Sequence, residues 1–338
     1  MAMALKIRGF VESEGRILER DELEAMLFAD PRQILDCGGE FFLQWDGCMA
    51  RDHLGIVPGD CPPGSLIGRG RTLGQIVPPA SAMDLGEAIQ EAVRLRATEG
   101  VVAMSGGVDS ALVACLARRP CVAVGLGGSH DLRRAAEVAG LLGLSLERVE
   151  IDAKEIEGAL ARVLPAIPEA NPVDASIATT LYFVARFAGE NGYRRVLAGQ
   201  GADELFAGYA RYLESETLEE DLERDFQRLA VQLQRDQAVA SLHATCFSLP
   251  YLDLRVVNAA RSIPAREKVK GQVRKAPLRE VACRFMPREV ACYQKKAMQY
   301  GSGVWREIQR LARRRGHASS VQSYLDSLAK DGGAVAED

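Results

Sequence analysis

Residues 105–110, with the sequence SGGVDS, carry the pattern that most clearly points to chemistry in this chain. The pattern lies between a short apolar segment, which predicts a strand, and a segment that predicts a helix. The first N–H groups of a helix have no partners within it, and with the helix dipole they attract anions. Glycines let the backbone approach phosphate oxygens closely, hydroxyls donate hydrogen bonds, and a carboxylate can hold Mg²⁺ that bridges phosphates. These groups come from Ser105, Gly106, Gly107, Asp109 and Ser110.

A second glycine-rich motif, GQGADE at residues 199–204, also follows a predicted strand. Ligands of open parallel sheets bind beyond the carboxyl ends of the strands, so we expect the two motifs to meet at one edge of a sheet. The first motif contains neither the GKS or GKT of the Walker P-loop nor the dinucleotide fingerprint. The sequence therefore predicts a phosphate site of a different type.

Strands and helices alternate between residues 84 and 199, and this alternation must position both motifs. The predicted strands are apolar throughout, which is typical of a parallel sheet covered on both faces by helices. We therefore predict an α/β fold. The strands are expected at 101–104, 121–126, 146–152 and 194–199, and the helices at 84–97, 110–119, 131–144 and 176–193.

The rest of the chain differs in character on either side of this region. Short β-rich pieces and turns precede it, and a Gly- and Pro-rich stretch from Pro58 to Pro79 indicates a boundary. Helical, charge-rich sequence follows it, including the heptad-like segment 222–242, and the last residues are polar and small. We predict a β-rich N-terminal region, an α/β domain, a helical lobe and a polar tail, at residues 1–80, 81–213, 214–316 and 317–338.

Composition excludes several function classes. The net charge of −4 gives no electrostatic case for binding nucleic acid or a membrane surface, and no apolar run approaches the roughly 20 residues of a membrane span. The eight cysteines form no CxxC pair and the four histidines are scattered, which argues against a zinc site. With no signal peptide visible, we expect a cytoplasmic protein with reduced thiols.

The motifs resemble those of the PP-loop ATP pyrophosphatases, and among these the synthetase domain of class B asparagine synthetases and the related β-lactam synthetases. The resemblance continues in order over about residues 80–310. Besides the two glycine-rich motifs, it covers the segments at 123–143, 249–264, 275–290 and 294–303. It implies an enzyme that cleaves ATP between the α- and β-phosphates to activate a carboxylate.

The resemblance also implies roles for individual residues. It makes residues 105–110 the pyrophosphate loop and pairs Asp109 with Asp203 as carboxylates for Mg²⁺, with Glu204 as a supporting neighbour. Lys295 matches the lysine that neutralises charge developing on phosphate, an electrostatic role, and Lys275 matches a family lysine whose role is less defined. The remaining implied positions are Val102 and Val124 near adenine, Gly199 at the nucleotide, and Gln200 among the catalytic residues.

The N-terminal region departs from the family. Class B enzymes begin with a cysteine nucleophile in a larger glutaminase domain, whereas Met1 here is followed by Ala2. Residues 39–59 still resemble a segment of that domain with its middle shortened. We interpret residues 1–80 as a truncated remnant that does not hydrolyse glutamine, and we do not expect Cys37, Cys48 or Cys61 to replace the missing nucleophile.

The acyl-acceptor positions depart as well. Val173 and Ser176 stand where asparagine synthetases carry the Thr and the aspartate-binding Arg, and Gln200 replaces a Glu, although Gln cannot act as a general base. Loss of a carboxylate-binding Arg should cost several kcal/mol if aspartate were the ligand. Cys246 and Ser248 likewise replace a Glu and an Arg. The ATP half is therefore intact while the acceptor half is rewritten.

Three hypotheses remain open from the sequence. The first is an amide-forming ligase that uses ATP and Mg²⁺, forms an acyl-adenylate and takes free ammonia or an amine, on a carboxylate other than aspartate. The second is sulfur insertion through an adenylated carbonyl, for which Cys246 is the candidate thiol. The third is a non-catalytic nucleotide-binding partner. A separate glutaminase chain and a second copy of this chain are the protein partners we consider.

Overall fold

The computed structural model describes residues 4–79, 82–293 and 298–333 of the chain. The chain forms two compact units, and each unit combines segments that are distant in sequence. Unit 1 contains Met1–Thr98, Gln200–Leu233 and Ser248–Val281, and unit 2 contains Glu99–Gly199, Gln234–Phe247 and Ala282–Asp338. The consecutive domains expected from the sequence stay a prediction, because compactness groups segments that the chain order separates.

The N-terminal region of unit 1 is an antiparallel sheet with the strand order β2-β1-β3-β4-β5-β6. Side chains along a strand alternate between its two faces. Accordingly Phe41 and Leu43 enter one hydrophobic cluster and Phe42 enters another. The elements up to residue 96 are β1 Lys6–Ser13, β2 Arg16–Ile17, α1 Arg20–Ala29, β3 Gly38–Trp45, β4 Cys48–Arg51, β5 Ser65–Gly68, β6 Arg71–Gln75 and α2 Leu85–Arg96.

Unit 2 is built on a parallel sheet, which confirms the predicted α/β fold. The strand order is β11-β10-β7-β8-β9, and β7 pairs in parallel with both β8 and β10. Strands β7 and β8 are almost entirely buried, as their apolar sequences require. The elements in this stretch are β7 Val101–Ala103, α3 Val108–Ala117, β8 Cys121–Leu126, α4 His130–Leu142, β9 Leu146–Ile151, α5 Glu155–Val163, α6 Pro172–Glu190 and β10 Arg195–Leu197.

The remaining sequence is mostly helical, as its charge pattern predicts. Short 3-10 turns occur at Pro31–Asp36, Ala210–Leu213 and Pro250–Leu252. In the described part of the chain, no helix has the length and apolar character that a membrane crossing needs. The elements are α7 Ala202–Phe206, α8 Leu218–Ser241, β11 Cys246–Ser248, α9 Leu254–Arg261, α10 Ala265–Lys268, β12 Val269–Lys270, β13 Val273–Arg274, α11 Ala276–Ala282, α12 Arg288–Ala291, α13 Met298–Gly301, α14 Val304–Arg314 and α15 Val321–Gly333.

The segment 317–338, expected from the sequence as a polar tail, contains a packed helix. Helix α15 lies within it, and Tyr324 and Leu325 are each 1% exposed. The Tyr324 hydroxyl donates to the Glu157 carboxylate on α5 at 3.0 Å. Small and polar residues dominate the segment, so two buried side chains gave too weak a pattern to predict a packed helix.

Candidate functional site

The loop at 105–110 lies between the end of β7 and the start of α3, as predicted. Gly106 has a φ of +75°, a conformation that costs glycine little. A Cβ at Gly106 would lie 2.8 Å from Cγ of Arg134 and 2.9 Å from the backbone N of Ala135. Helix α4 therefore packs directly against the loop, and only glycine fits at this position.

The two serines of the loop are bonded to each other. The Ser105 backbone N–H donates to Oγ of Ser110 at 3.1 Å, and the two hydroxyl oxygens are 3.0 Å apart. Ser110 also donates to the Gly107 carbonyl at 3.3 Å. The loop is thus closed by its own side chains, while the backbone N–H groups at the start of α3 have no acceptor within the helix.

The first glycine of the second motif lies beside this loop. A Cβ at Gly199 would be 3.0 Å from Cβ of Asp109 and 3.2 Å from the backbone N of Ser110. Gly199 directly follows Ala198, two residues past the end of β10. Unit 2 therefore brings together all the loop residues named from the sequence and Gly199, with Asp109 in the first turn of α3.

The two valines assigned to adenine lie inside the parallel sheet. Val102 on β7 is fully buried and Val124 on β8 is 7% exposed. Val102 pairs with Cys121 on β8 and with Leu197 on β10. Their assignment to adenine stays a prediction.

Asp203 lies in unit 1, where it forms an ion pair with a buried lysine. Nζ of Lys275 is 2.9 Å from Oδ1 of Asp203, and the Lys275 side chain is 8% exposed. A Cβ at Gly208 would lie 1.8 Å from this carboxylate oxygen and 2.2 Å from Cε of Lys275. The pair therefore forms only because position 208 has no side chain. Sequence reasoning missed Gly208, which lies four residues after the end of the second motif.

Glu204, next to Asp203, is a buried carboxyl held by two donors. It is 3% exposed and accepts hydrogen bonds from the Tyr209 hydroxyl and from Nε2 of Gln232. Burial and the neighbouring Asp203 charge raise the pKa of Glu204. The sequence suggested a supporting role for Glu204, but nothing in it pointed to Gln232, which lies on α8.

The other two candidate catalytic residues are Gln200 and Lys295. Gln200 is partly exposed and precedes Gly201, whose φ of +87° starts α7. Lys295 lies outside the described residues.

The residues that differ from the family at the acyl-acceptor positions also differ from one another in burial and hydrogen bonding. Ser176 on α6 is fully buried, and its hydroxyl has no hydrogen-bond partner in the part of the chain that is described. Val173, one turn earlier, is 52% exposed. Cys246 is partly exposed, and its thiol donates to the Arg194 carbonyl at 3.4 Å.

Ser248 is part of a buried ionic cluster in unit 1. Its hydroxyl and the Leu249 N–H, at 2.5 and 2.8 Å, both donate to the Glu40 carboxylate. Nε of Arg96 is 2.6 Å from the same carboxylate, and Nη1 is 2.9 Å from Oδ2 of Asp253. Ser248 therefore belongs to the buried hydrogen-bond network of unit 1, a role that the sequence did not indicate.

The cysteines of the N-terminal region lie in apolar surroundings. Burial raises the pKa of the Cys37 thiol to about 11 and also raises that of Cys61. Since the thiolate is the nucleophile, a raised pKa opposes reactivity. That neither thiol replaces a catalytic cysteine stays a prediction.

The available donor side chains bear on whether Mg²⁺ could bind. Among the described residues, no three His, Cys, Asp or Glu side chains cluster to hold a metal by themselves. Mg²⁺ is usually held by one or two carboxylates together with substrate phosphates. Asp109 and Asp203 are each a carboxylate of the kind that Mg²⁺ binds together with phosphates, and Asp203 is paired with Lys275.

The family model and the curated relatives that match this chain carry the same family description. A family model described as asparagine synthase matches residues 84–249 and 214–331. A provisionally named glutamine-hydrolysing asparagine synthetase 1 of Methanocaldococcus jannaschii is 34% identical over 282 residues, covering 70% of this chain and 52% of its own length. Asparagine synthetase B of Escherichia coli, also named glutamine-hydrolysing, is 26% identical over 249 residues, covering 65% and 45%.

The chain spans about half the length of these curated relatives. Among solved structures, NMN synthetase from Francisella tularensis has 17% sequence identity and a TM-score of 0.28, covering 54% of this chain and 96% of its own.

Proposed function

Because the chain belongs to the asparagine synthase family, we propose that it is an ATP-dependent, amide-forming ligase that releases AMP and pyrophosphate and acts on a carboxylate other than aspartate. The observation that carries this proposal is the loop at 105–110, which we now call the pyrophosphate loop. Its left-handed Gly106, its paired serines and its place at the start of α3 supply anion-binding groups with fixed geometry.

The proposed reaction has two steps. A carboxylate oxygen of the acceptor attacks the α-phosphorus of ATP, and pyrophosphate leaves with the electrons of the broken P–O bond. The nitrogen of ammonia or an amine then attacks the acyl carbon of the acyl-adenylate, AMP leaves, and the nitrogen loses a proton. Positioning and electrostatic stabilisation of the departing phosphates are the main catalytic needs of such chemistry.

The residues divide these tasks between them. Ser105, Ser110 and the loop backbone would bind the phosphate oxygens. Asp109 and Asp203 would hold Mg²⁺, which supplies positive charge at the phosphates. We assign Lys295 to the charge that develops on the phosphates, and Lys275 holds Asp203 in place at 2.9 Å.

The proposed change of acceptor rests on Ser176. Its side chain is fully buried and offers a single hydroxyl where an arginine would pair with a carboxylate. A carboxylate buried without a cationic partner is costly to desolvate. A less charged acid, with a hydroxyl or amide where aspartate has its second carboxylate, should therefore bind better than aspartate.

The proposed nitrogen source is free ammonia, an amine, or ammonia supplied by a separate glutaminase chain. The raised pKa values of Cys37 and Cys61 support this proposal, because they oppose a thiolate in the N-terminal sheet. Glutamate release from glutamine that is lost on Cys→Ala substitution at position 37, 48 or 61 would contradict it.

The test is a pyrophosphate-release assay with ATP, Mg²⁺, ammonium and a panel of carboxylic acids. We expect release with at least one acid, formation of the matching amide, and little release with aspartate. Asp203→Asn should reduce the rate, while the exposed Asp60→Asn serves as a matched control. Turnover with aspartate on the order of 1 s⁻¹, typical of an enzyme, would contradict the altered specificity. A thiolated product would favour sulfur insertion, and no release with any acid would favour the non-catalytic alternative.

A further inference from the structure

Arg134 is a buried arginine of unit 2 that the proposed reaction does not yet use. It lies on α4 and is 7% exposed. Its Cγ lies 2.8 Å from the point where a Cβ on Gly106 would be, so the side chain crosses the pyrophosphate loop at close range. Its Nε is only two bonds beyond that Cγ and therefore also lies near the loop.

Three contacts fix the guanidinium of Arg134. Nη1 is 2.8 Å from a carboxylate oxygen of Glu137, and Nη2 donates to the Glu289 carbonyl at 3.2 Å. The guanidinium carbon lies 3.9 Å from the centroid of the Tyr293 ring, a cation–π contact. The Tyr293 hydroxyl in turn is 2.9 Å from Nε2 of His130. The plane of the guanidinium is thus set by the protein.

One donor of this fixed group, the buried Nε of Arg134, has no hydrogen-bond partner within the described ranges. Leaving a buried donor of a charged group unsatisfied is costly. The Glu137 side chain is 59% exposed, so solvent screens its charge and the positive charge of Arg134 is only partly offset. An anion beside the loop would satisfy both the N–H and the charge.

We propose that Arg134 donates its Nε–H to a phosphate oxygen of ATP that becomes part of the leaving pyrophosphate. The inference rests on the proposed function, since it takes the loop at 105–110 as the phosphate site. An arginine suits this task because it stays charged and offers directed donors to phosphate. Arg134 is then a binding residue for pyrophosphate, in addition to the groups of the loop itself.

The experiment is calorimetric titration of the full chain with inorganic pyrophosphate and with ATP, each with Mg²⁺. Arg134→Gln removes the charge, and Arg134→Lys keeps a charge but removes Nε. A charged hydrogen bond of this kind accounts for roughly tenfold or more in affinity, so we expect both variants to bind pyrophosphate at least tenfold more weakly. Arg133→Gln is the matched control, since Arg133 is exposed and bonds only the Gly128 carbonyl among its described contacts; it should match the wild type.

The outcomes separate this inference from the proposed function. If the wild type binds neither pyrophosphate nor ATP, the assignment of the loop fails and this inference fails with it. If the wild type binds both and the folded Arg134 variants bind equally well, the loop assignment stands and Nε of Arg134 has only a structural role. Thermal unfolding checks folding; should Arg134→Gln not fold, the more conservative Arg134→Lys decides.

Discussion

The chain contains two buried polar regions, one in each unit. They differ in whether their buried hydrogen-bond donors find acceptors within the described part of the protein. Around Arg96, the guanidinium is bonded to Glu40 and Asp253, and Glu40 also accepts from Ser248. Beside the pyrophosphate loop, by contrast, Nε of Arg134 is a buried donor with no acceptor in the described part of the protein.

This difference distinguishes a buried region that stabilises the fold from one that can bind a ligand. A buried ionic cluster that is satisfied by the protein has no capacity left for a ligand, and removing one member leaves uncompensated charge. Donors left open at a buried loop are costly to the fold unless a ligand or water completes them. We therefore interpret the N-terminal sheet as a structural part of unit 1 and the pyrophosphate loop as the site of chemistry.

The largest effect is expected from Arg96→Met, which removes the guanidinium at the centre of the buried ionic cluster. The change leaves Glu40 and Asp253 buried without their shared guanidinium, and such a loss costs about 3–5 kcal/mol. We expect a fall of that size in the free energy of unfolding, measured by guanidinium denaturation. Arg94→Met is the matched control, because Arg94 is 59% exposed and pairs only with Glu91 among its described side-chain partners; it should change stability by less than about 1 kcal/mol. Equal effects of the two variants would contradict a structural cluster.

A second test uses Asp52, a fully buried carboxyl in the same region. Its two oxygens accept from the backbone N–H groups of Phe41, Ile56 and Val57, yet burial raises its pKa to about 6. The folded pKa exceeds the unfolded value of about 3.9, so this contribution to stability is complete below pH ~4 and is lost as the pH rises through about 6.

The measurement is the difference in unfolding free energy between wild type and Asp52→Asn from pH 4 to pH 7. We expect the wild type to lose about 2–3 kcal/mol relative to the variant over this range, from a shift of roughly two pKa units. Asp60→Asn, at an exposed position, should show no such difference. A pH-independent difference for Asp52→Asn would mean that Asp52 stays ionised in the fold.

The smallest effect on the free energy of unfolding is expected at the buried carboxyl of Glu204. Its described side-chain donors are Tyr209 and Gln232. Tyr209→Phe removes one of them and should lower the free energy of unfolding by about 1–2 kcal/mol. The pKa of Glu204 should rise further, because the hydrogen bond from Tyr209 opposes the effect of burial. Unchanged stability and an unchanged pH profile would show that water replaces the hydroxyl.

The sequence predicted the parallel sheet well because each of its elements has a strong local pattern. Strand β8 was expected at 121–126 and occurs as Cys121–Leu126. The helix expected at 131–144 occurs as α4 His130–Leu142, and Gly143 caps it in the left-handed conformation. Helices α1 and α5 were missed. In α1 only Leu23 and Leu27 are buried while Phe28 is 84% exposed, so its apolar residues do not mark one face.

The candidate site was predictable only where a motif names its residues. The loop and Gly199 lie together, as their strand-end positions suggested. The partners that come from distant segments, such as Gln232 for Glu204 or Arg96 for Glu40, depend on tertiary packing and have no local signal. No local sequence pattern marks Arg134, because its unsatisfied Nε exists only once α4 packs on Gly106.

The central claim is that the pyrophosphate loop binds ATP for cleavage, and titration of Mg²⁺ and ATP into wild type and Asp109→Asn tests it most directly. Asp109 lies in the first turn of α3 against Gly199, and loss of a magnesium carboxylate should weaken binding at least tenfold, with a fall of about 10²–10³ in pyrophosphate release. The exposed Asp60→Asn should behave as the wild type. Affinity for ATP with Mg²⁺ that is unchanged in Asp109→Asn would contradict the account.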